Sequence, residues 1–152
     1  PEGPRLAVLD IGGWDTHAGQ AGRLPQALRQ LDAVVATLRR DLGVLWKDTM
    51  VVVVSEFGRT VAANGSGGTD HGTATAAFVL GGQVNGGRVL ADWPGLESSR
   101  LYQGRDLAPT QDLRSLLKGA LAAQYGLAGA DLERFVFPGS VSAPLLRDMA
   151  SG

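Results

Sequence analysis

The chain has no cysteine among its 152 residues, which excludes thiolate nucleophiles, thiolate metal sites and disulfide bonds. It has only two histidines, His17 and His71, so imidazole chemistry in this chain depends on those two positions. Lysine and arginine number 14 against 15 aspartates and glutamates, and this balance gives no reason to expect a nucleic acid partner. No apolar run approaches the roughly 18 residues of a membrane-spanning helix, and we therefore expect no membrane span.

The pattern of apolar residues predicts alternating strands and helices. Residues 6–11 and 50–54 are mostly apolar, as in the buried strands of a parallel sheet. Between them, leucine and valine recur at steps of three and four over residues 24–42, which predicts an amphipathic helix that ends at Gly43. Strand, helix and strand in this order form a right-handed βαβ unit. A third strand is predicted at residues 75–80.

A second helix is predicted to begin at residues 109–112 and to end near Gly126. Thr110 is a suitable N-cap, because its hydroxyl can accept a hydrogen bond from a free N–H of the first turn. Leucines and alanines over residues 113–121 then form one buried stripe. The predicted elements place the chain in the α/β class, with helices packed on a parallel sheet.

Both histidines lie within two positions of an aspartate, beside glycines and next to a predicted strand. Asp15 and His17 follow the first strand, whereas Asp70 and His71 lie within the glycine-flanked stretch 68–72. Sites in open α/β sheets form beyond the carboxyl ends of the strands, and we predict that these four residues converge there on a metal. Mixed oxygen and nitrogen ligands suit zinc, manganese or iron better than calcium, and zinc is the first choice. A turn or an N-cap is the alternative role for such short Asp-His sequences.

Glu56 and Arg59 follow the most apolar strand of the chain and are the predicted catalytic residues. Arg59 could bind an anionic group with two parallel hydrogen bonds. Glu56 could serve as a metal ligand, as a partner that orients a histidine, or as a base. The alternative is a surface ion pair that contributes less than about 1 kcal/mol.

Seven short sequences carry a resemblance to a known family. In chain order they resemble the C-terminal half of DUF1501 proteins, which are similar in turn to the alkaline phosphatase and sulfatase superfamily. The sequences are Gly-Gly-Trp-Asp-Thr-His (12–17), Ser-Glu-Phe-Gly-Arg-Thr (55–60), Gly-Thr-Asp-His-Gly (68–72), Phe-Val-Leu-Gly-Gly (78–82), Trp-Pro-Gly-Leu (93–96), Gly-Arg-Asp-Leu (104–107) and Pro-Thr-Gln-Asp-Leu-Arg (109–114).

The resemblance implies a three-layer α/β/α sandwich with a mostly parallel sheet and a metal site at its carboxyl edge. Residues 6–140 would form the C-terminal half of the domain, after a disordered lead at 1–5 and before a tail at 141–152. It implies that Asp15 and His17 ligate one metal, and that Asp70 and His71 ligate or bridge towards a second. It also implies export to the periplasm. The one-residue spacing between Asp15 and His17 departs from the three residues of the better-known phosphatases.

The sequence leaves two functions open. The first is a metal-dependent hydrolase of a small anionic ester, either a phosphate or a sulfate. In that case this chain supplies the metal ligands and Arg59, but it lacks the N-terminal segment that carries the nucleophile in the superfamily. The second is a non-catalytic metal-binding or partner-binding domain of an exported protein. Residue 1 is proline rather than methionine, so we expect a processed chain or part of a longer one. A half-sheet would expose an edge and an apolar face, which predicts a homodimer or pairing with the missing N-terminal segment.

Overall fold

The computed structural model describes residue 3 and residues 5–150, which contain helices and two small antiparallel sheets. The elements in chain order are α1 (Gln20–Leu42), a 3-10 helix (Gly43–Asp48), β1 (Val51–Val53), β2 (Gly58–Arg59), β3 (His71–Gly72), β4 (Phe78–Leu80), a 3-10 turn (Ser98–Arg100), α2 (Leu113–Tyr125), α3 (Gly129–Asp131) and a π-helical turn (Leu132–Val136). Within the described residues, no helix combines the length and the apolarity needed to cross a bilayer.

Helix α1 confirms the prediction made from the spacing of leucine and valine, and it begins one turn earlier than residue 24. It is flanked by Gly19 and Gly43, whose φ angles of 58° and 52° favour glycine. The two arginines of its last turn, Arg39 and Arg40, suit the negative end of the helix dipole. These local signals determine the length of α1 and place its N-terminus directly after the Asp15–His17 stretch.

Strand β1 confirms the strand predicted at residues 50–54, but its pairing differs from the prediction. It pairs with β4 in antiparallel register, with Val52 opposite Val79. The three residues of β1 are half-buried rather than buried on both faces. The connection from β1 to β4 contains β2 and β3 and no helix. A parallel pair needs a crossover connection, usually a helix, whereas this connection returns the chain in the opposite direction.

The predicted three-layer α/β/α sandwich with a mostly parallel sheet is therefore wrong for the described residues, which form two separate two-stranded antiparallel sheets. The strand predicted at residues 6–11 is absent, and with it the βαβ unit. Leu6, Val8 and Leu9 are exposed, at 65%, 87% and 66% of their surface. The apolar run that suggested a buried strand thus lies on the surface without a strand partner in this structure.

The chain exposes more surface than a compact monomer of its mass, and several large apolar side chains are among the exposed residues. The accessible area is 10259 Å², whereas a compact monomer of this mass exposes about 7300 Å². Leu28 on α1 and Phe78 on β4 are half exposed. The predicted homodimer, or pairing with an N-terminal segment, stays a prediction that this excess of exposed surface favours.

Helix α2 ends at Gly126 as predicted, but its N-cap is Asp112 and not Thr110. The Asp112 carboxylate accepts a hydrogen bond from the backbone N–H of Arg114. On the buried side of α2, the ammonium group of Lys118 donates to Glu133 and to the carbonyl of Ser140, at 3.1 and 2.9 Å. These contacts attach the C-terminal segment to α2.

The Asp112 cap predicts a pH-dependent contribution to stability. Hydrogen bonds from Arg114 lower the pKa of Asp112 to about 2 from an ordinary value of 3.8. A lowered pKa stabilises the fold above pH 4, and this stabilisation is lost as the pH falls towards 2.

Replacing Asp112 with alanine should lower the free energy of unfolding by about 1 kcal/mol at pH 7. Asp112→Asn keeps a cap without the charge, so its urea midpoint should fall less between pH 4 and pH 2 than that of the wild type. Equal falls in the two proteins would contradict the assignment.

Candidate metal centre

Three of the four predicted metal ligands meet at one point. Asp15 Oδ1 lies 3.0 Å from His17 Nε2 and 2.9 Å from His71 Nε2. The two imidazole nitrogens lie 3.1 Å apart. These atoms form a nearly equilateral triangle, although the two histidines are 54 positions apart in the sequence. Asp15, His17 and His71 are thus a group that could hold a metal ion, and we call them the triad.

Backbone pairing holds the two loops of the triad together. Ala18 and Gly67 form an antiparallel bridge. The N–H of Gly19 donates to the carbonyl of Ser66 at 3.1 Å, and the N–H of Gln20 donates to that of Gly67 at 2.9 Å. The positions of His17 and His71 are therefore fixed by main-chain bonds as well as by their side chains.

A polar cluster below the triad joins the same loops to the first turn of α1. The hydroxyls of Thr16 and Thr69 both donate to the side-chain oxygen of Gln20, at 3.0 and 2.6 Å. Both threonines are buried, at 3% and 9% exposure. A buried hydroxyl that lost its acceptor would cost about 1–3 kcal/mol, so this cluster favours a single arrangement of the two loops.

Asp70 does not point into the triangle but contacts the far side of His17. Its Oδ1 lies 3.1 Å from His17 Nδ1 and accepts a hydrogen bond from Asn64 Nδ2 at 3.0 Å. Hydrogen bonds from Asn64 and then from His17 lower the pKa of Asp70, which favours the carboxylate form. In the tautomer with the imidazole proton on Nδ1, His17 donates to this carboxylate and the lone pair of Nε2 faces the triangle.

In this tautomer, His17 Nε2 and Asp15 Oδ1 both face inwards with lone pairs, and the donor from Arg59 to Asp15 Oδ1 comes from outside the triangle. A proton on His71 Nε2 would satisfy only part of the triangle, whereas a cation near its centre attracts all three atoms. The hydrogen bond from His71, followed by that from Arg59, lowers the pKa of Asp15, so this carboxylate is ready to bind a cation. The chemistry of these donors fits a metal ion.

Arg59 lies behind the triad and is already engaged by the protein. It donates to Asp15 Oδ1 at 2.6 Å, to the carbonyl of Trp14 at 2.7 Å and to that of Thr69 at 2.8 Å. Its guanidinium lies over the ring of Phe57, 5.1 Å from the centroid. Three donors of Arg59 thus hold the two loops together, and the anion-binding role predicted for it stays a prediction.

Phe57 and Asn64 belong to the site, although the sequence analysis did not identify either of them. The Phe57 ring stacks on the imidazole of His71 with 4.1 Å between centroids. Asn64 also donates to the carbonyl of His17 at 2.9 Å. Phe57 directly precedes β2, two positions before Arg59, and this spacing puts the two side chains on one face if the extended backbone begins one residue earlier. No signal in the sequence marks Asn64.

Glu56 lies between β1 and β2 and is exposed. Among the described residues, its side chain makes no hydrogen bond or ion pair, so the structure does not bring it into the triad. Its predicted catalytic role stays a prediction. The triad side chains are themselves 46–58% exposed, which leaves one face of the triangle open to solvent.

Comparison with known proteins gives one match. A search of curated proteins and a search of solved structures found none that matches this chain. The model of the family described as "Protein of unknown function (DUF1501)" matches residues 1–136. Because the match spans most of the 152 residues, this chain belongs to the DUF1501 family.

Proposed function

We propose that the chain binds one divalent transition metal through Asp15, His17 and His71, and that this metal centre serves the hydrolysis of a small anionic ester. The observation that carries the proposal is the triangle of inward-facing donor atoms with edges of 2.9–3.1 Å. Structural zinc sites are usually closed by four protein ligands, whereas catalytic sites use three and leave a position for water or substrate. Three ligands with an exposed face support a catalytic site over the non-catalytic alternative.

The ligand set bears on which metal fits. Mixed oxygen and nitrogen ligands suit zinc, manganese or iron, and zinc is the first choice.

Each residue around the triangle has a distinct part in the proposed function. Asp15 supplies the negative charge, and Arg59 fixes its orientation. Asp70 holds the proton on Nδ1 of His17, while Phe57 limits rotation of the His71 ring. A bound metal would polarise an ester oxygen and make water nucleophilic near neutral pH.

Two measurements on purified protein test this proposal. After treatment with a chelator, titration calorimetry with zinc, manganese and, without oxygen, iron(II) should show one binding site per chain. Because a metal-bound water would serve as nucleophile in place of the residue of the N-terminal segment, the loaded protein should hydrolyse nitrophenyl phosphate or sulfate, and chelator should abolish the reaction. If no metal binds and chelator leaves the melting temperature unchanged, the metal site itself is refuted. If one metal binds but no ester is cleaved, the non-catalytic alternative replaces the hydrolase.

A further inference from the structure

A second arginine lies close to the metal centre. The backbone of Asp106 pairs with that of Thr60, and the N–H of Val61 donates to the carbonyl of Arg105 at 3.2 Å. On its other side, Thr60 bonds Asp70 through its N–H and its hydroxyl, at 3.0 and 3.1 Å. Arg105 therefore lies roughly two strand spacings, or about 10 Å, from the backbone of Asp70.

A buried carboxylate holds the Arg105 guanidinium in place. Asp106 is 1% exposed, and it accepts Nε of Arg105 at 2.8 Å and Nη2 at 3.1 Å. The hydroxyl of Thr73 donates to the same carboxylate at 2.9 Å. Both oxygens of Asp106 are thus engaged, and one edge of the guanidinium is fixed by two parallel bonds.

The other edge of the guanidinium is available to a ligand. The Arg105 side chain is 58% exposed. A guanidinium has five N–H donors, of which Asp106 takes two, so three remain within the described residues. Arg59 differs, because its guanidinium is only 20% exposed and is bonded to Asp15 and to two carbonyls. Of the two arginines, Arg105 is therefore the one with the more exposed guanidinium and with more donors left for a ligand.

The charge of Arg105 also reaches the residues around the triad. The backbone of Arg105 lies about 10 Å, or roughly one Debye length at physiological ionic strength, from that of Asp70, and the Asp70 side chain contacts His17. The same field would attract an anion that approaches the metal centre. The two sites are thus near enough for one ligand to experience both.

We propose that Arg105 is the oxyanion-binding residue of this centre, and that Asp106 and Thr73 position it to receive a phosphate, sulfate or carboxylate group of the ligand. This inference rests on the proposed metal centre for the position of the ligand, but the interaction of Arg105 with an oxyanion does not require the metal. Arg105 thus takes the role of binding an anionic group that the sequence suggested for Arg59.

Titration of inorganic phosphate, sulfate and acetate into the metal-loaded and the metal-free protein tests the proposal. Arg105→Gln should weaken phosphate binding at least about 10-fold, as expected for loss of a charge-assisted interaction. Arg105→Lys should give an intermediate affinity, because lysine keeps the charge but not the two parallel bonds. Arg100→Gln is the matched control, because Arg100 is 60% exposed and also paired, with Glu97; its affinity for phosphate should equal that of the wild type.

The comparison among anions identifies the preferred group. A site for phosphate or sulfate should bind acetate weakly, whereas a site for carboxylates should bind acetate more tightly. The metal affinity of Arg105→Lys should match that of the wild type, and its melting temperature shows whether the fold is retained. Unchanged affinity for the preferred anion in folded Arg105→Gln or Arg105→Lys would overturn the proposal, as would the absence of binding of all three anions to the wild type. If no metal binds but phosphate binding still depends on Arg105, the metal centre alone is refuted.

Discussion

Replacing His71 with alanine is expected to weaken metal binding more than about 100-fold, because loss of an outer partner of a ligand already costs 10–100-fold. The variant removes one corner of the triangle and leaves His17 and Asp15. At a metal concentration 100 times the wild-type dissociation constant, the wild-type fold should gain about 2.7 kcal/mol and the variant about 0.4 kcal/mol or less. Calorimetry and thermal unfolding with and without metal measure the two quantities.

The control for His71→Ala is Asp92→Ala, since Asp92 is exposed and lies outside the triad. It removes a surface carboxylate of the kind that binds cations weakly and nonspecifically. Its metal affinity should remain within about 3-fold of the wild type, because isolated surface charges interact weakly with ions. Equal losses in His71→Ala and Asp92→Ala would mean that the metal is bound nonspecifically by surface acids.

Gly68→Ala is expected to be the most damaging change that leaves every proposed ligand in place. A Cβ at this position would overlap the backbone carbonyls of Thr16 and His17. These atoms belong to the main chain of the other loop and can yield only if the two loops separate. We expect a loss of about 3 kcal/mol in the free energy of unfolding, at the upper end of the cost of overpacking.

The metal affinity of Gly68→Ala should fall with its stability, because separation of the loops moves His17 away from His71. Gly65→Ala is the matched control in the same loop, since a Cβ there meets no atom within 4 Å. Its unfolding free energy should stay within about 0.5 kcal/mol of the wild type. Urea denaturation and metal titration of the two variants test the prediction. If they behave alike, close approach of the loops is not what positions the triad.

The sequence predicts the helices and the identity of the triad because both depend on local signals. The spacing of leucines in α1 and the glycines at its ends are read directly from neighbouring positions. The triad could be predicted because the chain offers only two imidazoles, each beside an aspartate. Their convergence was predicted at the edge of a parallel sheet that the described residues do not form, and the pairing of Ala18 with Gly67 brings the two loops together instead.

The sheet could not be predicted in the same way, because an apolar run does not specify the direction of its partner. Val52 would be equally apolar beside a parallel or an antiparallel neighbour, and the structure pairs it with Val79 in the antiparallel direction. Residues 6–11 show the same limit, since they have the composition of a strand but no strand partner among the described residues. Strand pairing is set by contacts between distant segments, and these leave little local signal.

The roles of the two arginines were also beyond sequence analysis. A long side chain can bond to the protein or to a ligand, and only the structure shows that Arg59 bonds to Trp14, Asp15 and Thr69. Arg105 lies in one of the short sequences that resemble the family, residues 104–107, and that resemblance does not say what its side chain binds. Its importance depends on its pairing with Thr60 and Val61, far away along the chain.

X-ray absorption spectroscopy of the metal-loaded protein tests the central claim most directly, because it reports the atoms bound to the metal. We expect two imidazole nitrogens and one carboxylate oxygen at about 2.0–2.2 Å, with the remaining positions occupied by water. If the His17→Ala variant retains any metal, its spectrum should show half of the imidazole signal of the wild type. A metal shell with no imidazole, or one that is unchanged in both His17→Ala and His71→Ala, would contradict the account.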